Sequence, residues 1–186
     1  MTGPVDLAGE MKAAAARIRQ PHLDRLRALG VTGETITRIW HDVAPIGVAN
    51  AETDSHGHYM PGEGPLHLIQ PVHAGDVLVD LVAWRSGDPG ETWLRTGHGW
   101  AIGESDLLAF DRWHGDLMLH ASPLDWLRAG ATGAVILDWS APEIARLRDH
   151  DRIRCATATL AAALRRAIAA TIHMPDIIAL EDPHAP

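Results

Sequence analysis

Cysteine, lysine, tyrosine and phenylalanine occur once each in this chain of 186 residues, as Cys155, Lys12, Tyr59 and Phe110. A single thiol excludes an intramolecular disulfide and leaves no thiolate cluster for a metal. Cys155, in "RIRCAT", reads as a small buried strand residue, because its neighbours supply no catalytic pairing. One lysine in total leaves no phosphate loop of the G-x-x-x-x-G-K type. There is no run of about 18 apolar residues, and "MTGPVDLAGEMKAAAARIRQ" lacks the apolar stretch of a signal peptide. A soluble, cytoplasmic protein with no membrane partner is therefore expected. Basic charge is scarce in the middle of the chain: residues 41–140 hold four Arg and fourteen Asp or Glu, within a net charge of -8. Such a face repels a phosphate backbone, which confines any nucleic-acid contact to residues 1–44.

What is present is tryptophan, seven residues of it, in a chain that is 46% hydrophobic and 22% charged and hence globular. Several of the seven rings are expected in the core, where the indole N–H needs a partner. Three textures follow one another. Residues 1–44 are rich in Ala, Leu and Arg, with Pro21 and Gly30 as punctuation, and predict helices near 9–19, 22–29 and 33–40. Residues 45–115 alternate short apolar runs with Gly, Pro, Asp and Ser, the pattern of antiparallel strands; "LHLIQPV" and "VLVDLVAW" are the clearest, the second apolar enough for burial on both faces. "SGDPGET" is expected as a turn with Gly87 and Gly90 at positive φ, and "TWLRTG" and "GWAIG" complete the sheet. Residues 116–186 predict β-α-β-α-β-α-β with parallel strands, from "DLMLH" to "DIIAL", with Ser122 and Ser140 starting helices, Gly130 ending one and a frayed tail. The fold class is α+β: a helical segment, a small antiparallel sheet and a parallel, Rossmann-like portion, packed as one unit.

"TDSHGHYMPGEGPLHLIQPVH" holds the obvious ligand candidates. His56, His58 and Glu63 form H-x-H-x4-E, which resembles part of the first metal-binding motif of cupin barrels and would suit a divalent metal. Asn50 and Gln70 replace that motif's flanking glycines, no second motif follows, and the Gly and Pro content marks an irregular, histidine-rich loop. "HLDRLRALGVTGETITRIW" resembles a helix-turn-helix: Gly30, Val31, Ile36 and Ile39 fill the turn and packing positions, and Glu34, Thr35 and Arg38 would face the DNA major groove. Leu26 departs from the small residue that the motif needs, and basic content is low. Ser122 and nearby His120 lack a glycine-flanked nucleophile elbow, and His98 between two glycines reads as a turn.

Two wider resemblances remain. "LVDLVAWRSGDPGETWLRTGHGWAIGES" with "SPLDWLRAGATGAVILDW" resembles an uncharacterised family of small bacterial proteins of prophage and mobile-element regions, which implies a genomic setting and no activity. The succession from residue 116 onward is similar in layout to a Toprim domain, whose chemistry needs a glutamate after the first strand and an Asp-x-Asp pair after a later one. Here the first strand ends in His120, Ala121 and Ser122, and the later one in Asp138, Trp139 and Ser140, so those metal ligands are missing. The leading expectation is a non-catalytic protein, without cofactor, that binds a protein partner through Trp84, Arg85, Trp93, Arg95 and Trp100, since Trp and Arg dominate interface energy. The alternatives are a metal-dependent enzyme using the His/Glu cluster and a helix-turn-helix DNA-binding regulator.

Overall fold

A computed structural model describes residues 5–40, 42–108 and 116–172. The chain opens with helix α1 (Leu7–Ala16), whose first turn is closed by Asp6 accepting the Gly9 amide at 2.9 Å. α2 (Gln20–Ala28), with Pro21 in its first turn, and the short α3 (Gly33–Arg38), capped by Thr32, follow. Four strands then form an antiparallel meander in chain order: β1 (Gly47–Thr53), β2 (Tyr59–Ala74), β3 (Val77–Arg85) and β4 (Asp88–Leu94). α1 covers one face of this sheet, where Met11 and Ala14 pack on Ala49, Ile69, Leu81 and Ala83. The approach is close because Gly47 has no side chain: a Cβ there would stand 2.6 Å from the Ala14 Cβ. The other face carries Val48, Leu68, Val72, Val82 and Trp84 against Leu26 and Val31 of the helical segment and Leu124, Trp126 and Leu127. Burial of β3 on both faces is as the apolar run requires.

Beyond the meander come β5 (Ala101–Ile102), α4 (Glu104–Leu108), β6 (Leu117–Leu119), α5 (Pro123–Arg128), β7 (Val135–Ile136), a 3-10 helix (Pro142–Asp149), β8 (Ile153–Cys155) and α6 (Ala158–Ala170). β6 and β8 are parallel; a single parallel bridge from Leu119 to Ala134 ties β6 to the start of β7; β5 pairs antiparallel with β7. The order across these short strands is thus β8-β6-β7-β5. Val135 and Ile102 face α5 and the large sheet, whereas Leu117, Leu119, Ala134 and Ile136 face the 3-10 helix and α6. Ser122 caps α5 through the Asp125 amide, and Gly130 ends that helix at φ +73.

Several expectations are corrected. "SGDPGET" is mostly strand: Pro89 and Gly90 lie in β4, which tolerates proline because it is the sheet edge, and neither Gly87 nor Gly90 has positive φ. "GWAIG" contributes β5, which pairs with β7 and leaves the meander at four strands. The irregular loop is shorter than its Gly and Pro content suggests, since β2 already begins at Tyr59 and accommodates Pro61 beside a register shift at Asn50/Ala51. Helix α3 stops at Arg38. "SAPEIARLRDH" forms a 3-10 helix, and Ser140 gives its amide and hydroxyl to Asp138 instead of capping. Among the described residues only β6 and β8 make a regular parallel pair; the predicted strand "DIIAL", the tail and Trp113 lie outside them. Cys155 is on β8 but half-buried, and that partial burial raises its thiol pKa, leaving it protonated.

Candidate functional site

The expected tryptophan surface is largely interior. Trp84 is fully buried and donates to Gln70 Oε1 at 2.7 Å; Trp100 is buried and donates to Glu104 Oε1 at 2.6 Å. The sequence run brings them close, but alternation along β3 turns Trp84 into the core, and β5 carries Trp100 into the second one. Trp93 is half-buried with its ring 4.7 Å from that of His67. Arg95 is engaged by a bidentate pair with Glu10 at 2.8 and 2.9 Å, which raises its pKa further and ties β4 to α1. Arg85 pairs with Glu91 at 2.9 Å on the β3–β4 hairpin. Of the five expected contact residues, Trp84 and Trp100 thus present no accessible ring.

The histidine-rich segment forms the β1–β2 turn. Asp54 Oδ1 accepts the amides of His56 and His58 at 2.8 and 2.9 Å, and these bonds, that of His58 first, lower its pKa. His58 lies against Gly97, where a Cβ would meet its Nε2 at 2.7 Å. Glu63 sits along β2 with its amide on Glu52, and among the described residues no three His, Cys, Asp or Glu side chains meet at ligand geometry. In the helical segment Gly30 does turn the chain, at φ +91, and Leu26 and Val31 are buried. Thr35, however, is buried, with its hydroxyl 3.0 Å from that of Thr32, so it cannot reach a base edge; Glu34 and Arg38 remain exposed and face each other at 3.8 Å. The single carboxylate Asp138 is used by Ser140.

One buried carboxylate was not singled out by sequence. Asp80, fully buried in the middle of β3, accepts five backbone amides: Leu81, Arg95, Thr96, His98 and Gly99, at 2.8–3.1 Å. It shapes the link from β4 to β5 and has a structural role. The signal available in the sequence was one acid inside an otherwise apolar run.

The residues that do converge line a cleft of about 290 Å³ between α3, the β2–β3 turn and α4. Arg38 and Ile39 form one wall, Gly75 and Asp76 another, and Glu104, Ser105 and Asp106 a third. Asp106 Oδ2 accepts the Gly133 amide at 2.6 Å, which anchors α4 to the start of β7. Glu104 is only 8% exposed, and Trp100 occupies its Oε1. Its Oε2 has no donor among the described residues, yet Thr96 Oγ1 is the one side-chain polar atom there that is fully buried without a partner. Glu104 is itself a lining residue of the cleft. Trp40 and Val77, each one residue from a lining position, are the two most exposed large hydrophobic side chains among the described residues, at 61% and 65%.

The chain matches no family model, no curated protein and no solved structure.

Buried His67 adds a titration. Its ring packs on Trp93 and Nδ1 lies 2.8 Å from the Pro65 carbonyl; burial lowers its pKa, helped by Arg85 and opposed by the Pro65 bond and by Glu91. Below about pH 6.5 the unfolded chain takes up this proton before the folded one, so stability is lost as pH falls from there toward the folded pKa. Urea unfolding at stepped pH should show that loss in the wild type, and a shallower slope in the His67→Leu variant. Equal slopes would remove His67 as its source.

Proposed function

We propose that the protein is a non-catalytic adaptor that captures a protein partner by a basic segment, with the cleft between α3, the β2–β3 turn and α4 as the contact site. The observation that carries this reading is the buried Glu104 carboxylate in the wall of the cleft, bonded through Oε1 alone. A carboxylate already withdrawn from water, fixed by a short bond from Trp100, loses little further solvation when it accepts an incoming guanidinium or ammonium. Asp76 and Asp106 at the same cleft add acceptors, and exposed Trp40 offers a ring face over which a cation can stack. The acidic balance of residues 41–140 steers a basic partner toward this region. Arg38 at the opposite wall favours a partner that carries an acidic or carbonyl group beside its basic one. A mobile-element setting, implied by the sequence resemblance, suits an accessory protein of this kind.

The test is titration calorimetry with 12-residue peptides, one built around Arg and Lys with a single Asp and one with the charges reversed. The basic peptide should bind, more weakly at high salt, and the reversed one should not. Trp40→Ala should weaken binding by about tenfold or more, as truncation of an interface anchor does. Equal binding of the two peptides, or an unchanged affinity in Trp40→Ala, would remove this reading.

A further inference from the structure

A second cleft, of about 520 Å³, lies outside the carboxyl ends of β6 and β7, with α6 as its far wall and the edge strand β4 at its mouth. Its position follows from the topology. β6 continues into α5 on one face of the short strands, whereas the neighbouring parallel strand β8 continues into α6 on the other. Where the connections from adjacent parallel strands part to opposite faces, a crevice is left at their carboxyl ends, and ligands of open α/β sheets occupy such crevices. The volume is within the range of small-molecule sites.

The walls define the chemistry. Ala121, Leu137, Trp139, Leu160 and Ala163 are apolar, and the half-buried Trp139 supplies an aromatic face. His120, only 6% exposed, is the buried polar group among them. Its Nε2 lies 2.9 Å from the Thr132 carbonyl, and a carbonyl only accepts, so Nε2 carries the hydrogen, and in the neutral ring Nδ1 presents a lone pair. His120 lines the cleft, and its Nδ1 has no hydrogen-bond partner among the described residues. A buried imidazole acceptor beside an indole and aliphatic side chains, in a crevice that Thr92, Thr157 and Thr159 also line, selects a hydrogen-bond donor on a flat, mainly apolar body. Glu91, held by Arg85, stands at the mouth and disfavours an anion.

We propose that this cleft is a binding site for a small uncharged aromatic molecule bearing an O–H or N–H donor, which packs on Trp139 and donates to His120 Nδ1. The site is separate from the acidic cleft beside Trp40 and does not depend on the adaptor reading.

Phenol, anisole and benzoate serve as probes, titrated into the full-length protein and followed by backbone amide NMR shifts. Phenol should give saturable shifts centred on Ala121, Leu137 and Leu160, with anisole and benzoate at least about tenfold weaker, the discrimination typical of a buried polar group left unpaired. His120→Phe should abolish the preference for phenol over anisole. Because that change alters a buried position, Ala163→Trp provides a second variant: it fills the cleft from the half-buried face of α6, leaves the His120 bonds intact, and should abolish binding. Equal affinity for phenol and anisole, benzoate binding as tight as phenol, shifts that do not saturate, or binding retained in Ala163→Trp would each overturn the proposal.

Discussion

Replacing Asp80 with alanine is expected to cost the fold about 4 kcal/mol, more than any other single loss of a polar side chain in the meander. Five amides point at this carboxylate, and each buried donor left without an acceptor costs about 1–3 kcal/mol. The full sum does not apply, since His98 and Thr96 lie on an accessible link and can recruit water, whereas Leu81 and Gly99 are buried and cannot. Asp80→Asn should fall between, at about 2 kcal/mol. Its oxygen can still satisfy the set on one side, but its amide N–H groups then face the His98 and Gly99 donors or the Leu81, Arg95 and Thr96 donors. Urea unfolding at neutral pH measures both. A midpoint shift in Asp80→Ala worth under about 1 kcal/mol would show that the link from β4 to β5 holds its shape without this acid.

Asp80 also marks where the sequence stops being legible. Alternation and β-branching located β2 and β3 and implied two-faced burial, and helix propensity located α1, α2, α5 and α6 within a few residues. These are local signals, each written in the segment that obeys it. The partner of a strand is not written there: "GWAIG" has the same texture whether it extends the meander or, as it does, pairs with β7 some 34 residues later. Edge status is equally non-local, and it alone decides that Pro89 can sit in a strand. For the candidate sites the difficulty is orientation. Trp84, Trp93 and Trp100 share eighteen positions with two arginines, but their directions follow from register and from which sheet each strand joins. The acidic cleft gathers Arg38, Asp76 and Glu104 from three separate elements, and no spacing along the chain links them.

Trp84→Ala and Trp40→Ala should separate the core from the proposed contact surface. Trp84 is fully buried among Val82, Leu68 and Trp126, so truncation is expected to cost about 3–5 kcal/mol through lost burial and the cavity left behind. It also strips Gln70 Oε1 of its indole donor, and Gln70 is itself only 2% exposed. Trp84→Phe keeps most of the apolar volume and loses that bond, which should bring the cost to about 1–2 kcal/mol. Trp40, at 61% exposure, buries little and should shift stability by less than about 0.5 kcal/mol on truncation, while lowering affinity for the basic peptide about tenfold. The two variants therefore move opposite readouts. A Trp40→Ala protein that loses several kcal/mol of stability would place its ring in the core. A Trp84→Ala protein of wild-type stability would mean that this ring does not fill the core between β3 and α5, since both faces of β3 are covered and neither leaves room for an exposed indole.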